Sequence, residues 1–172
     1  MFNKDDVVLG YENGRETLEW IYYEIIERGD SEIFLCSAEI NDAESFAGCM
    51  MSDFNHLYRI WYKEEEVGYF WLNRFMGNSC FVHFCGMRDT VYARKHAVKI
   101  GRFIIEDFLF DHYNILFGCI LSSNRRLKLF LQKLLFKPAC NLPRLYYVSS
   151  KNRHFDFELW TRTGEDNDTQ KP

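Results

Sequence analysis

A base and a nucleophile lie on one side of a short predicted strand, where residues 81–85 read FVHFC. Side chains alternate along a strand, so Phe81, His83 and Cys85 share one face and Val82 and Phe84 the other. An imidazole titrates near neutrality, which makes His83 the candidate general base. The pattern also fits a histidine that is satisfied by a neighbouring backbone carbonyl. No third, orienting residue accompanies Cys85, which disfavours a Cys–His nucleophile.

A second group with chemical potential is a basic cluster that consists of Arg94, Lys95, His96, Lys99 and Arg102. It falls where a loop is predicted to lead into a helix, in a chain whose net charge is −4. Unpaired backbone N–H groups and the helix dipole favour anions at such a place. The cluster therefore predicts a phosphate-type site, and the alternative is an ordinary solvated helix face.

Metal and disulfide chemistry are not indicated. The five histidines are scattered, and the six cysteines form no C-x-x-C pair. Such cysteines are typical of buried thiols in a reducing compartment, so we predict neither a metal site nor a disulfide framework.

The helices and strands that must position these residues form one βαβα run. It consists of a strand at Cys80–Met87, a helix at about Ala93–His112, a strand at Ile115–Leu121 and a helix at Asn124–Phe136. Ser122, Ser123 and Asn124 supply capping side chains before the second helix. That helix has an apolar face at Leu127, Phe130, Leu131, Leu134 and Leu135.

The N-terminal part of the chain is predicted to be mostly helical. A short strand is expected at Asp6–Leu9 and an amphipathic helix at Glu12–Glu27, whose apolar face is Leu18, Ile21, Tyr22, Ile25 and Ile26. Gly29 is the expected C-terminal cap. Residues 32–38 fit either a strand or a helix, and a short helix at Asn41–Met51 is predicted with Asn41 as its cap.

A three-stranded antiparallel meander is predicted next, at His56–Lys63, Val67–Arg74 and Cys80–Met87. Residues 76–78 form its second turn. Glu64–Glu66 forms its first turn and is interpreted as a solvated hairpin tip, rather than as carboxylates that bind a substrate.

The C-terminal part is predicted to close the sheet with a hairpin. Residues 138–143 are expected to form a loop, and the hairpin strands are Leu145–Ser149 and Phe155–Arg162. The whole is one α/β domain (α+β, with a mixed sheet) over residues 1–163, followed by a disordered polar tail at 164–172.

Composition limits the class of protein. With 172 residues, 47% of them hydrophobic, the chain can bury a core. Its negative charge excludes a nucleic-acid-binding signature, and no apolar run reaches the roughly 18–20 residues that cross a bilayer. We therefore expect a cytoplasmic protein without nucleic-acid or membrane partners.

The order of these elements, together with residues 124–137 (NRRLKLFLQKLLFK), resembles the GNAT superfamily of acyl-CoA-dependent N-acetyltransferases. The last core helix of that family reads roughly N-x-x-A-x-x-L-Y-x-K-L-G-F. Asn124, Lys133, Leu134 and Phe136 match it without a gap, and Phe130 replaces the Leu.

Residues 92–102 (YARKHAVKIGR) resemble a degenerate form of the family's pyrophosphate loop, [QR]-x-x-G-x-[GA]. In the favoured register Arg94 is the first residue, Ala97 replaces the central Gly and Lys99 the last residue. A second register starts at His96 and ends at Gly101. The compressed loop resembles that of small phage-encoded GNAT-like proteins.

The resemblance implies acetyl-CoA as cofactor and a sheet that opens beside the predicted strand Cys80–Met87, where the pantetheine arm pairs with backbone. A bulge at Cys85-Gly86 would open the sheet. The implied cofactor-binding residues are Phe84, Cys85, Arg94, Lys95, His96, Ala97, Val98, Lys99 and Asn124.

The chain also departs from the family. The Tyr that protonates the departing thiolate corresponds to Leu131, and the Gly of K-L-G-F corresponds to Leu135. Losing a general acid costs on the order of 10² to 10⁴ in rate, and Tyr146 or Tyr147 is the substitute acid that the sequence offers.

Two functions follow from the resemblance. One is an acetyl-CoA-dependent N-acetyltransferase of an amine that the sequence does not identify. The other is a catalytically degenerate phage protein that acts through protein partners or self-association, for example in virion head assembly, in the host cytoplasm or on the virion.

Overall fold

The computed structural model describes residues 2–29, 40–85, 90–148 and 152–165. In these ranges four α-helices are present: α1 (Arg15–Glu27), α2 (Ala43–Met50), α3 (Val91–Phe103) and α4 (Arg125–Lys133). Seven strands accompany them: β1 (Val7–Glu12), β2 (Asn55–Tyr62), β3 (Glu65–Met76), β4 (Ser79–Cys85), β5 (Ile115–Leu121), β6 (Lys137–Val148) and β7 (Arg153–Thr163). A 3₁₀ turn (Lys4–Asp6) precedes β1, and a π-helix (Ile104–Leu109) continues α3.

The strands follow the order β1-β2-β3-β4-β5-β7-β6 in one sheet. The pairing of β4 with β5 is parallel, whereas β1/β2, β2/β3, β5/β7 and β6/β7 are antiparallel. This confirms the predicted α/β class with a mixed sheet. Two compact units divide the chain: Met1–Arg74 with Val82–Ile100, and Phe75–Phe81 with Gly101–Pro172.

The core of the first unit lies between α1, α2 and one face of the sheet. Its buried members are Leu18, Ile21, Ile25, Phe46, Ala47, Met50, Leu57, Tyr69, Trp71 and Cys85. The period of the α1 sequence therefore identified the buried face correctly, because Leu18, Ile21 and Ile25 are all fully buried. Ile26 is the exception, since it is 40% exposed.

Local hydrogen bonds make α1 and α2 begin at other residues than those predicted. Glu12 was predicted to begin α1 but is the last residue of β1, and its carboxylate accepts a hydrogen bond from the backbone N–H of Gly14 at 2.8 Å. Asp42, rather than Asn41, caps α2, in a reciprocal capping box with Ser45. Gly29 has φ = 75° just beyond α1, as predicted. The segment 32–38 lies outside the described residues.

The meander of β2, β3 and β4 is confirmed, but its first turn is Lys63–Glu64. Both residues have positive φ (53° and 64°), the conformation of a two-residue type I′ hairpin turn. Glu66 lies within β3, is only 9% exposed and accepts a hydrogen bond from Arg59 Nε at 2.6 Å. The interpretation of Glu64–Glu66 as a solvated tip is therefore wrong for Glu66.

In the second unit β5 occupies the predicted residues and α4 packs on it. The Asn124 side chain caps α4 by accepting a hydrogen bond from Leu127 N–H at 3.0 Å. Leu131 and Leu134 are buried, and a Cβ on Gly101 would lie 2.9 Å from Leu134 Cδ2. Only glycine therefore lets the end of α3 approach α4 this closely without displacing Leu134.

Two boundaries in the second unit differ from the prediction. The helix predicted to reach His112 becomes a π-helix at Ile104 and ends at Leu109. Residues 138–143, predicted as a loop, belong to β6, which lies at the end of the strand order and pairs with β7. Prolines are tolerated on such an edge strand, and its register shifts twice. The hairpin of β6 and β7 is confirmed, while residues 149–151 and 166–172 lie outside the described residues.

Helix α4 ends in a Schellman motif, in which Leu135 has φ = 64° and Phe136 N–H donates to Leu131 O at 3.0 Å. A left-handed residue that carries a Cβ is strained by about 1–2 kcal/mol. We therefore expect the free energy of unfolding of Leu135→Gly to exceed that of Leu135→Ala by about 0.5–1 kcal/mol, since both variants lose the same side chain contacts.

Urea denaturation of the two variants measures this difference. Leu129, which lies in α4 and is 59% exposed, provides the control. At that helical position the order should reverse, with Leu129→Ala more stable than Leu129→Gly by about 1 kcal/mol. Equal stability of the two Leu135 variants would contradict the assignment of strain.

Candidate functional site

His83 lies in β4, against two residues of the neighbouring strand β3. Its Nε2 is 3.1 Å from Asn73 Oδ1, and its ring stacks on Trp71 with centroids 5.2 Å apart and an interplanar angle of 16°. The alternative that the sequence left open, a bond to a backbone carbonyl, is replaced by a bond to a side-chain amide. His83 is thus held from its edge and from one face.

The environment of His83 keeps its ring neutral. Burial, and secondly the positive charge of Arg74, lower its pKa to about 4. An amide oxygen can only accept a hydrogen bond, so the proton of the neutral ring is on Nε2, which donates to Asn73. Nδ1 then carries the lone pair of the neutral ring.

Cys85 and Phe84 end β4 on opposite faces, as alternation predicts. Cys85 is 2% exposed and belongs to the core that contains Trp71. Phe84 lies 6.0 Å from the ring of Phe70. Gly86, the second residue of the implied bulge, begins the segment 86–89, which lies outside the described residues.

Residues 94–99 lie within α3 and not in a loop, which corrects both registers considered for the pyrophosphate loop. Thr90 caps the helix: its Oγ1 accepts from Ala93 N–H at 3.0 Å, and its carbonyl accepts from Arg94 N–H at 3.0 Å. By helix geometry, the N–H groups of Val91 and Tyr92 have no carbonyl acceptor within the helix. The N-terminus of α3, where the helix dipole is positive, is therefore two to three residues earlier than the start of the favoured register.

The side chains of the predicted cluster divide between solvent and core. Arg94, Lys95 and Lys99 are exposed, while Ala97 and Val98 are half-buried. His96 is 6% exposed, and its ring lies 5.7 Å from that of Phe2 and 5.3 Å from that of Tyr62. Burial, followed by the charges of Lys95 and Lys99, lowers its pKa. His96 is thus buried against two aromatic rings, whereas the side chains of the three cationic residues are in solvent.

The sequence also contains a third register of the family motif, which starts at Arg88 and was not among the two considered. It places Val91 at the central glycine and Ala93 at the final [GA] position of the family motif. The signal that would have revealed it is Thr90, since a threonine before a helical run is an N-cap. That cap fixes the start of α3 within this register. Arg88 itself lies outside the described residues.

The remaining predicted residues belong to the second unit. Asn124 is the cap of α4. Tyr146 lies in β6 opposite Phe155. Leu131 is 3% exposed and packs on Gly118 of β5, where an added Cβ would lie 3.5 Å from Leu131 Cδ1. Leu131, which the sequence resemblance matches to the Tyr of the family, is therefore a buried side chain that has no proton to donate.

Strand β5 pairs in parallel with β4 at Ser79–Phe81 against Ile115–Phe117, and it pairs with β7 along its whole length to Leu121. The rings of the paired residues Phe81 and Phe117 stack with centroids 5.3 Å apart.

Within the described ranges there is no group of three or more His, Cys, Asp or Glu side chains that could hold a metal ion. No helix there is long and apolar enough to span a membrane. The described cysteines are free thiols, and burial raises the pKa of Cys80 to about 12.

Comparison with known proteins identifies the fold. No family model and no curated protein sequence matches the chain. Among solved structures, the spermidine N-acetyltransferase from Vibrio cholerae in complex with CoA and spermine is 10% identical with a TM-score of 0.69, over 94% of this chain and 97% of that one. A probable acetyltransferase of the GNAT family from Chromobacterium violaceum is 13% identical with a TM-score of 0.69, over 95% and 85%.

A third similar structure is the Microcin C7 self immunity acetyltransferase MccE, in complex with acetyl-CoA and AMP. It is 15% identical with a TM-score of 0.64, over 92% of this chain and 93% of that one. The three structures cover nearly the entire chain at low sequence identity. The protein therefore has the fold of the GNAT acetyltransferases.

Proposed function

We propose that the protein is an acetyl-CoA-dependent N-acetyltransferase that acts on an amine. The GNAT fold supports this activity, and the observation that carries it is His83. A ring that is neutral at pH 7, with one nitrogen bonded to Asn73, keeps a lone pair on the other nitrogen for a proton. His83 is accordingly the general base of the proposal.

Acetyl transfer needs a base that takes the proton of the amine and a sulfur that can leave the acetyl carbon. Acetyl-CoA supplies the acetyl group as a thioester. As the acceptor nitrogen forms its bond to the acetyl carbon and the carbon–sulfur bond breaks, His83 Nδ1 takes the proton that the nitrogen loses. A thiol has a pKa near 8.5, so the sulfur can depart as a thiolate although Leu131 donates no proton.

The N-terminus of α3 suits the pyrophosphate of the cofactor. The first turn of α3 contains no acidic residue, and Val91 at its start is 77% exposed. Arg94 and Lys95 follow in solvent within the next turn. N–H groups without an acceptor in the helix, a positive dipole end and two cations together favour a phosphate group there. Of the other residues that the resemblance implied, Phe84, Cys85, Ala97, Val98, Lys99 and Asn124 remain predictions, as does Tyr146 as acid.

The acceptor class in this proposal is a cationic amine. The net charge of −4 favours a positively charged substrate. The Vibrio cholerae neighbour, whose fold is shared, is a spermidine N-acetyltransferase bound to spermine.

A thermal-shift titration with acetyl-CoA tests the proposal. A ligand at 100 times its dissociation constant stabilises the folded state by about 2.7 kcal/mol, which raises the Tm by several degrees. We expect this shift for the wild type and its loss in an Arg94→Glu, Lys95→Glu double variant.

An Arg144→Glu, Arg153→Glu variant is the matched control, because it makes the same change of charge at two exposed arginines of β6 and β7. This control variant should show the same rise in Tm with acetyl-CoA as the wild type. A wild type whose Tm does not move at millimolar acetyl-CoA would overturn the proposed function.

Leu131 favours a second candidate function. In that reading the GNAT fold has lost catalysis and the protein is an interaction factor, as in the small phage-encoded branch, where virion head assembly is the predicted role. Acetyl-CoA would then produce no shift, and the cytoplasmic or virion location would follow from its protein partners. The first proposal is preferred because His83 and the start of α3 retain the features that transfer needs.

A further inference from the structure

We propose that Asn73 is a positioning residue for acetyl transfer, which fixes the His83 ring so that Nδ1 is the atom that accepts the proton. This inference rests on the proposed function, because the proton in question is the one lost by the acceptor amine. It assigns a role to a β3 residue that no motif in the sequence singles out.

The hydrogen bond determines which nitrogen is protonated. Asn73 Oδ1 lies 3.1 Å from His83 Nε2 and can only accept, so the bond requires a proton on Nε2. In solution a neutral imidazole exchanges its proton between the two nitrogens, and the partner of one nitrogen selects the tautomer. Asn73 thereby leaves the lone pair on Nδ1.

The orientation of the ring is fixed by a second contact. Trp71 and Asn73 lie two residues apart on β3 and therefore on the same face of the strand. The indole stacks on the imidazole at 16°, so the plane of the His83 ring is set while Asn73 sets its rotation within that plane. The two contacts together define where Nδ1 points.

The backbone of β3 is distorted immediately after Asn73. The pairing of β2 with β3 ends at Asn55 and Asn73, and Arg74 has φ = 50°, a left-handed conformation for a residue with a long side chain. Such a residue costs on the order of 1–3 kcal/mol and persists where the surroundings hold it. The distortion falls where the Asn73 amide meets His83, and Arg74 is also the charge that acts on the His83 ring.

Imidazole ¹⁵N spectra of the full chain test the tautomer. In the wild type the His83 signals, assigned by their loss in His83→Gln, should show a protonated Nε2 and an unprotonated Nδ1. Asn73→Leu should yield a mixture of tautomers, whereas Asn73→Asp, which keeps an acceptor, should retain the Nε2–H form and raise the pKa of His83. Asn141→Leu, at an exposed asparagine of β6, should change none of these signals.

Steady-state kinetics test the role. Asn73→Leu should lower kcat about tenfold or more with little change in the KM of the acceptor, and Asn73→Asp should shift the acid limb of the pH profile upward. A wild-type His83 protonated on Nδ1, or a tautomer unchanged in Asn73→Leu, would overturn the proposal. So would an altered tautomer with an unaltered kcat. The spectra give their answer even if no acetyl transfer is found, which would separate failure of the proposed function from failure of this inference.

Discussion

Replacing His83 with glutamine is expected to lower kcat/KM for acetyl transfer by about 10² to 10⁴, the usual contribution of a positioned general base. Glutamine can still donate to Asn73 Oδ1, so the strand contact is kept while the titratable lone pair is lost. Steady-state assays with acetyl-CoA and a polyamine acceptor measure the effect. Because glutamine is close in size to histidine, the Tm of His83→Gln should stay within a few degrees of that of the wild type.

The pH profile provides a sharper signature of the same residue. Since the pKa of His83 is about 4, the ring is already unprotonated at pH 5–6. Its contribution to kcat/KM should therefore be constant from about pH 5 upward and be lost as the pH falls through 4. A histidine with an ordinary pKa would instead place this acid limb near pH 6.5.

The control for this experiment is His154, which is exposed on β7. His154→Gln should retain the activity and the pH profile of the wild type. A His83→Gln variant that transfers acetyl groups at the wild-type rate would show that His83 is not the base.

Truncation of Arg162 to alanine is expected to reduce the free energy of unfolding by about 2–5 kcal/mol, chiefly through the cavity that a fully buried side chain leaves. Arg162 lies in β7, is fully buried, donates to Glu106 Oε1 at 2.6 Å and lies over the ring of Phe110 at 5.3 Å. Alanine would leave a cavity and would remove the partner of a glutamate that lies in the π-helix.

Two further variants separate the causes of that loss. Arg162→Met fills most of the same volume without a charge, so it leaves a smaller cavity than alanine, while Glu106 loses its partner in both variants. It should therefore be clearly more stable than Arg162→Ala. Arg153→Ala, at an exposed position of the same strand where the guanidinium lies 4.4 Å from the Phe155 ring centroid, should lie within about 1 kcal/mol of the wild type. Urea denaturation measures all three, and an Arg162→Ala variant as stable as Arg153→Ala would refute the argument.

The elements that the sequence predicted best are those whose signals are local. Asn124 precedes a run of helix formers and caps α4, and β5 is a short apolar run whose limits were predicted without error. Hydrophobic period alone identified the buried face of α1. The errors arose where pairing partners decide the structure: Glu66 is buried because Arg59 on the next strand binds it, and residues 138–143 are extended because β7 pairs with them.

The candidate site likewise contains some features that the local sequence predicts and others that depend on neighbouring elements. Strand alternation placed His83 and Cys85 on one face, but nothing local reveals Asn73, which reaches His83 only because β3 and β4 are neighbours. The basic cluster predicted an anion site near α3, yet its position depended on the first residue of the helix. Thr90 sets the start of that helix through one side-chain hydrogen bond, which depends on the backbone and not on the basic residues.

The prolines of β6 have a consequence for solubility. An outermost strand presents backbone donors to which a strand of another molecule can bind, and this is how sheets grow into aggregates. Pro138 and Pro143 have no N–H, and Arg144 beyond them has φ = 52°, which breaks the flat outline that a joining strand needs. The same residues that make this segment look like a loop in the sequence thus oppose edge-to-edge association at β6.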